Sequence, residues 1–225
     1  MVEPAESYAS EHLLAILADM KSPPRLPTAE RQRQIAAAAL RIISTQGVRR
    51  LTAAALADEV GIADGTIFRH FKNKEAIVSA AIDLFESTLD ATFPPPIDEP
   101  LERLGVFVVN RLTLVRKNPL LLRLAFNERL AEAAGPTGAA RVEQLVQRSM
   151  AFIRDCLEQA QQRGQVTSDT PLTLLVWMVI GVVRGAATHA AHGVHNEDPL
   201  SSASADQVWH ALESFLRTTA QESSR

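Results

Sequence analysis

The chain has 225 residues, a formal net charge of −3, and 46% hydrophobic residues with only 10 glycines. This length can bury a substantial core, and the composition favours helices over a glycine-rich β fold. The single cysteine, Cys156, excludes an intramolecular disulfide, and the apolar run at 13–18 is too short for a signal peptide. We therefore expect a cytoplasmic protein in which Cys156 is a buried, inert thiol.

The first predicted element is a short helix at residues 7–20, where apolar residues recur at helical spacing. The proline-rich stretch at 22–27 follows as a stiff linker. Thr28 then caps a long helix that carries Ile35, Ile42 and Ile43 on one side, and Gly47 ends it.

Residues 51–71 have the pattern of two short helices joined by a tight turn. Thr52 is a good N-cap for the first helix, which presents Leu56, Ala57 and Val60 to the interior. Gly61 ends this helix, because glycine tolerates the positive φ that a sharp turn between crossing helices needs. A second helix follows at once.

The outward face of that second helix is suited to DNA. At about 100° per residue, Ile67 and Phe71 lie on the buried side, while Gly65 and Arg69 point outward. An exposed helical glycine costs about 1 kcal/mol against alanine, and close approach to another body would explain it. The major groove admits a helix and offers guanine acceptors to an arginine and thymine methyls to the flanking side chains.

The next helix begins after Asn73, a good N-cap, which places its positive end and Lys74 where they can bind phosphate. The run T-x4-LA-x2-VG-IA-x-GTIF-x-HF-x-NKE, within residues 35–81, resembles the N-terminal domain of the TetR family of bacterial transcriptional regulators. The resemblance implies a three-helix helix-turn-helix domain. It also implies that Thr66, Arg69 and Asp64 contact DNA bases. Contacts with the DNA backbone are implied for Thr52, Phe68, His70 and Lys74.

Two residues depart from the family's pattern. Phe68 stands where the family usually has tyrosine, so a hydroxyl-to-phosphate bond is lost and apolar contact remains. Ala63 replaces a frequent serine cap, which makes Asp64 the expected cap of the recognition helix. The sequence leaves open whether Asp64 contacts a base or only its own backbone, and whether His70 contacts phosphate or is a surface imidazole at the groove margin.

Charge is divided unevenly along the chain. Residues 25–74 hold nine Arg or Lys against four Asp or Glu, so that this segment is +5 and the remainder is −8. Such asymmetry directs attraction for phosphates to one domain. Whether residues 1–27 add a contact to DNA or to a second subunit, or form a frayed arm, stays open.

A helix from Lys74 to Phe93 is expected to connect two domains and to end before Pro94. Further helices are expected at 101–117, 119–133, 139–163, 172–190 and 205–220, with stops at 135–138 and Gly164. The predicted fold is all-α. It comprises an extension at 1–27, a helix-turn-helix domain with its connecting helix at 28–93, and a larger helical ligand-binding and dimerisation domain at 94–225.

The segment at 173–185 is apolar around the whole helix, so it needs cover on every side. A membrane span would need about 20 such residues, which this segment does not reach. Packing on a second subunit together with the last helix would provide the cover, as in TetR-like dimers. The predicted interface residues are Trp177, Gly181, Gly185, Val208, Leu212, Phe215 and Leu216.

The resemblance implies a small-molecule pocket in the second domain, and side chains near otherwise apolar helix faces are candidates to line it. The candidates are Phe107, Arg111, Asn127, Trp177 and Arg184, and for each of them ordinary core packing or a salt bridge is the alternative. His189, His192 and His195 recur every three residues, but without thiolates or carboxylates in step they predict no metal site. No phosphate loop, metalloprotease motif or nucleophile motif occurs, so we predict neither a cofactor nor an enzyme.

Together with these patterns, the resemblance to TetR-family regulators implies a cytoplasmic homodimeric repressor that a small, largely apolar ligand releases from a palindromic operator. The alternative is a TetR-like partner or coactivator protein that does not read DNA itself.

Overall fold

The computed structural model describes residues 27–118, 120–121, 124, 129–192 and 203–222. Within these ranges the chain forms eight α-helices and no strand, which confirms the all-α prediction. The predicted helix at 7–20, residues 22–26 of the linker, Asn127 and His195 lie outside the described residues, as do the side chains of His189 and His192. The helices are α1 (Thr28–Gln46), α2 (Ala53–Val60), α3 (Asp64–His70), α4 (Lys74–Asp90), α5 (Pro100–Lys117), α6 (Arg129–Gln162), α7 (Leu172–His192) and α8 (Ala205–Glu222).

Contacts divide the chain into two compact units. The described parts of Met1–Ala91 and Arg123–Leu145 form the first unit, and those of Thr92–Leu122 and Val146–Arg225 form the second. The start of α6 therefore groups with the first four helices, although it lies far from them in sequence. The functional division at residues 93 and 94 stays a prediction.

The first unit is built around α1, which packs against α2 and α4. Ile35 and Ile43 of α1 and Phe85 of α4 are almost completely buried, as their apolar spacing predicts. α1 begins at Thr28 but is not capped by it: Pro27 occupies the N-cap position, and no side chain caps the helix. α4 ends at Asp90, three residues earlier than expected, because the chain turns before the prolines.

The long helix α6 is interrupted near its start. Gly135 has φ 64° and ψ −175°, values that no helical residue adopts, and Pro136 follows it. The predicted break is therefore present, although helical geometry resumes at Pro136 rather than at Ala139. From Pro136 the helix continues to Gln162.

In the second unit α5 packs against α7 and α8. Its core comprises the apolar faces of α5 and of the later part of α6, α7 and α8, with Leu104, Val108, Leu157 and Val179 fully buried. Gly105 lets α5 and α8 approach closely, since a Cβ at this position would lie 2.6 Å from Nε1 of Trp209. None of the helices in the described part of the chain is long and apolar enough to cross a membrane.

Candidate nucleic-acid interface

The two helices of the predicted motif begin and turn much as their sequence indicates. Thr52 is the N-cap of α2: its backbone is extended, and its hydroxyl accepts a hydrogen bond from the Ala55 amide at 3.1 Å. Gly61 ends α2 in the left-handed region with φ 72° and ψ 41°, and Ile62 donates to the Ala57 carbonyl at 3.0 Å. The turn therefore fixes the angle at which α3 leaves α2.

The outer face of α3 has the composition that its helical spacing predicts. Ile67 is 0% exposed and anchors the inner side, while Asp64, Gly65 and Arg69 are exposed. Phe68 is 57% exposed, which is unusual for a large apolar side chain. Thr66 and His70 at the margins are half-buried.

Packing within the described structure does not explain why position 65 is a glycine. A Cβ at this position would meet no atom within 4 Å, so the glycine does not make room for a neighbouring helix of its own chain. The space that it leaves lies on the exposed side of α3, beside Arg69.

The expected cap at Asp64 is wrong. Ala63 occupies the N-cap position with extended backbone, and no side chain caps α3, so Asp64 is the first helical residue. A carboxylate in the first turn still interacts favourably with the positive end of the helix. Its exposed position keeps it on the outer face, beside Gly65.

His70 fixes the end of α3 through its backbone. Its carbonyl accepts a hydrogen bond from Gln32 Nε2 of α1 at 2.9 Å. The Nδ1 atom of the imidazole is buried and has no hydrogen-bond partner among the described residues, so contact with phosphate would have to come from Nε2.

The start of α4 provides a second group of polar atoms. Asn73 caps the helix as expected, with Oδ1 accepting from the Ala76 amide at 2.9 Å. Lys74 Nζ donates to the Val48 carbonyl at 3.3 Å. This contact places the ammonium group next to a short 3-10 helix, Val48–Arg50, which precedes α2. Sequence reasoning did not single out this helix, although its adjacent arginines are visible in the sequence.

The predicted ligand-binding residues of the second unit separate into two groups. Phe107 is buried, and its ring centroid lies 5.1 Å from that of Phe93 and 4.9 Å from that of Phe152. The Arg111 guanidinium lies 4.9 Å above the Phe107 ring, and its Nη2 donates to Ser149 Oγ at 3.3 Å. These groups form an aromatic cluster with one cation.

Trp177 and Arg184 are exposed and do not join that cluster. The predicted buried thiol is present at Cys156, to which Arg103 Nε donates at 3.4 Å. Burial raises the pKa of Cys156, and the hydrogen bond from Arg103 only partly opposes this rise. The thiol is therefore poorly reactive.

The predicted dimer residues also separate. Trp177 is 57% exposed, Phe215 is 48% exposed and Gly181 is exposed, whereas Gly185 is half-buried. Leu174 is also exposed on α7, and sequence reasoning missed it. The apolar stripe on α8 instead belongs to the core of its own unit, so that the interface prediction is wrong for Val208, Leu212 and Leu216.

Comparisons with known proteins agree with this architecture. Residues 35–81 match the family model described as bacterial regulatory proteins, tetR family. The nucleoid occlusion factor SlmA of Vibrio campbellii is 25% identical over 200 residues, which cover 84% of this chain and 97% of SlmA.

Solved structures share the fold at low sequence identity. The ketosteroid transcriptional regulator KstR2 of Mycobacterium tuberculosis has a TM-score of 0.63 at 17% identity, with 90% of this chain and 97% of that chain covered. AibR in complex with isovaleryl coenzyme A and operator DNA has a TM-score of 0.65 at 18% identity, with coverage of 83% and 98%. Residues 35–81, which include the helix-turn-helix, therefore match the tetR family model, and the described helices share the fold of these solved structures.

Proposed function

We propose that this protein binds a palindromic operator as a homodimer through the outer face of α3 and regulates transcription there, most simply as a repressor. The observation that carries the proposal is the composition of that face. Gly65, Phe68 and Arg69 are exposed together, and within the described part of the chain the Arg69 side chain forms no hydrogen bond or ion pair. A rigid helix with such an arginine on its outer face can enter the major groove of DNA and contact base edges there.

The roles of these residues follow from their chemistry. Arg69 donates to guanine O6 and N7, and Phe68 and Thr66 contact thymine methyl groups. Where the operator has a cytosine beside the start of α3, the Asp64 carboxylate accepts a hydrogen bond from the cytosine N4 amino group. Thr52, His70 and Lys74 flank the helix and contact the DNA backbone, which sets the register of α3 in the groove.

Dimerisation is assigned to the exposed apolar patch on α7 and α8, which includes Leu174, Trp177, Met178 and Phe215. Scattered apolar side chains are normal on a protein surface, but the first three lie at helical spacing on one helix. Gly181 continues the same face, and no atom of the described residues lies within 4 Å of its missing Cβ, so a partner helix can approach closely there. The two DNA-binding domains of such a dimer would each bind one half-site of the operator.

Release by a small, largely apolar ligand is assigned to the second unit. The Phe93, Phe107 and Phe152 rings provide an apolar surface, and Arg111 provides one polar group beside it. The AibR structure, in which a protein of this fold is described with both isovaleryl coenzyme A and operator DNA, supports a ligand of this general kind. The proposal includes no catalytic residue, cofactor or metal, and it places the protein in the cytoplasm.

Selection of bound duplexes from a random pool tests the operator proposal. The purified protein should enrich an inverted repeat whose half-sites lie about 10 base pairs or more apart, because each α3 reads one half-site. Arg69→Ala should fail to enrich the same repeat. Enrichment of no sequence by the native protein would contradict sequence-specific binding.

The second candidate function is that of a TetR-like partner or coactivator protein that does not read DNA. Phe68 favours it, because a side chain that is 57% exposed and lacks a hydroxyl can bind an apolar protein surface as well as a thymine methyl. Failure of selection, together with retention of the dimer, would favour this candidate over the operator proposal.

A further inference from the structure

Two arginines outside the predicted contact set lie side by side on the surface of the first unit. Arg49 and Arg50 occupy the 3-10 helix Val48–Arg50, and both are exposed. In the part of the chain that the structure describes, neither guanidinium forms a hydrogen bond or an ion pair. Two adjacent cations without a counter-charge repel each other, so the pair does not stabilise the described fold.

The backbone that carries these arginines is firmly held. The Arg50 amide donates to the Gly47 carbonyl at 3.1 Å, and the Leu51 amide donates to the Val48 carbonyl at 3.1 Å. Leu51, the next residue, is only 2% exposed and anchors the turn in the core. The arginines therefore extend from a fixed base, and only their side chains must be ordered when a partner binds.

One lysine contacts this turn, and a second lies two residues before that lysine in sequence. Lys74 Nζ lies 3.3 Å from the Val48 carbonyl oxygen, and Lys72 is also exposed near the start of α4. Glu75 follows Lys74 directly in sequence and is exposed in the first turn of α4. Arg49, Arg50, Lys72 and Lys74 form what we call the basic turn, whose formal charge is +4 before Glu75 is counted.

The basic turn adjoins one residue already assigned to the DNA backbone and contains another. Thr52 follows Arg50 by two residues, and its amide donates to the Arg50 carbonyl at 2.9 Å. Lys74 belongs to the turn and donates to the Val48 carbonyl at the start of the 3-10 helix. A guanidinium fork matches the geometry of phosphate oxygens and forms charge-assisted hydrogen bonds to them.

We propose that Arg49 and Arg50 bind phosphates of the DNA backbone beside the half-site that α3 reads, and that they strengthen binding to every sequence alike. The inference rests on the proposed function, since it requires duplex DNA as the occupant. The arginines precede α2 rather than lying on α3, which assigns them to the backbone rather than to base edges. Without them, the net charge of residues 25–74 would fall from +5 to +3, because nine cations would become seven against four acids.

Salt dependence measures phosphate contacts directly and needs no known operator. The probe is a random-sequence duplex of about 30 base pairs, titrated by fluorescence anisotropy at several salt concentrations. Each phosphate contact contributes about 0.9 to the slope of log affinity against log salt concentration. The double variant Arg49→Gln with Arg50→Gln should therefore make this negative slope less steep by about 1.8 for each DNA-binding domain.

Two further double variants serve as controls for this measurement. Arg49→Lys with Arg50→Lys keeps both charges and should keep the slope, which also guards against loss of folding in the glutamine pair. Arg154→Gln with Arg163→Gln removes two exposed cations from the second unit and should leave the slope unchanged.

Three outcomes would overturn the inference, and they differ from one another. An unchanged slope in the folded glutamine variant would show that neither arginine contacts phosphate. Weaker binding to a selected operator, with unchanged binding to the random duplex, would show that the arginines read bases instead. No binding of the native protein to any duplex would remove the proposed function as well, whereas the first two outcomes would leave it intact.

Discussion

Arg141 of α6 forms an ion pair with Glu86 of α4, with Nη2 only 2.6 Å from Oε2. The same nitrogen lies 2.5 Å from Asp83 Oδ1, one helical turn earlier. These hydrogen bonds, first that with Glu86 and then that with Asp83, raise the pKa of Arg141. α6 also approaches α4 closely nearby, since a Cβ at Gly138 would lie 3.0 Å from Ile82 Cδ1. Arg141 and Gly138 of α6 therefore both lie against α4.

We expect Arg141→Gln to loosen α4 with only a small loss of global stability. The Asp83 carboxylate is 63% exposed, so solvent screens its pair with Arg141, and exposed pairs contribute about 0–1 kcal/mol. Hydrogen exchange of the α4 amides should become faster, because local opening no longer breaks two ion pairs. Glu143→Gln, an exposed change on the same helix, is the control. Equal α4 exchange in the native protein and Arg141→Gln would show that the pair does not hold the helix.

Replacement by alanine should have opposite effects on stability at Gly105 and at Gly65. Gly105→Ala would place a Cβ 2.6 Å from the Trp209 indole, and such overpacking should cost about 1–3 kcal/mol of unfolding free energy. Chemical denaturation measures this loss. A variant as stable as the native protein would mean that α5 and α8 separate readily.

Gly65→Ala should instead keep or raise the stability, because no atom of the described residues lies within 4 Å of its missing Cβ and alanine is the better helix former by up to about 1 kcal/mol. Its affinity for operator DNA should fall, since the added methyl group enters the space reserved for the groove. Unchanged operator affinity would show that α3 does not approach DNA at Gly65.

Gly181→Leu should dissociate the dimer without unfolding the chain. Gly181 is exposed, and an added Cβ would meet no atom of the described residues within 4 Å, but a leucine would hold apart the two helices of the proposed interface. Light scattering should report monomers. Glu158→Leu, an exposed substitution on α6, should stay dimeric. A dimeric Gly181→Leu variant would place the interface elsewhere.

Cys156 should react very slowly with thiol reagents in the native protein. Burial raises its pKa, so the thiolate is scarce at neutral pH and access is blocked. Denaturant should restore rapid labelling. Fast labelling of the native protein would show that α5 and α6 open readily around this residue.

Local signals explain why the helix-turn-helix could be predicted from the sequence. Thr52, Gly61 and Asn73 each act on the backbone within a few residues, and the structure places each as a cap or a turn. Asp64 was misassigned because a cap and the first helical residue differ by one position, which lies within the uncertainty of any helix boundary.

Long-range relationships could not be predicted in the same way. An apolar stripe such as Val208, Leu212 and Leu216 has the same spacing whether it faces its own core or a second subunit. Nothing near Arg141 in sequence indicates Asp83 and Glu86, which lie more than 50 positions away. The approach of Trp209 to Gly105 likewise depends on tertiary packing.

The central claim is that α3 reads base sequence through Arg69. The decisive measurement is the ratio of affinities for the selected operator and for a random duplex, taken at one salt concentration for the native protein, Arg69→Ala and Lys74→Ala. The native ratio should reach at least about 10³. Arg69→Ala should lower the ratio by about 1–3 kcal/mol, whereas Lys74→Ala should weaken both affinities similarly and preserve the ratio. An unchanged ratio in Arg69→Ala would contradict the claim.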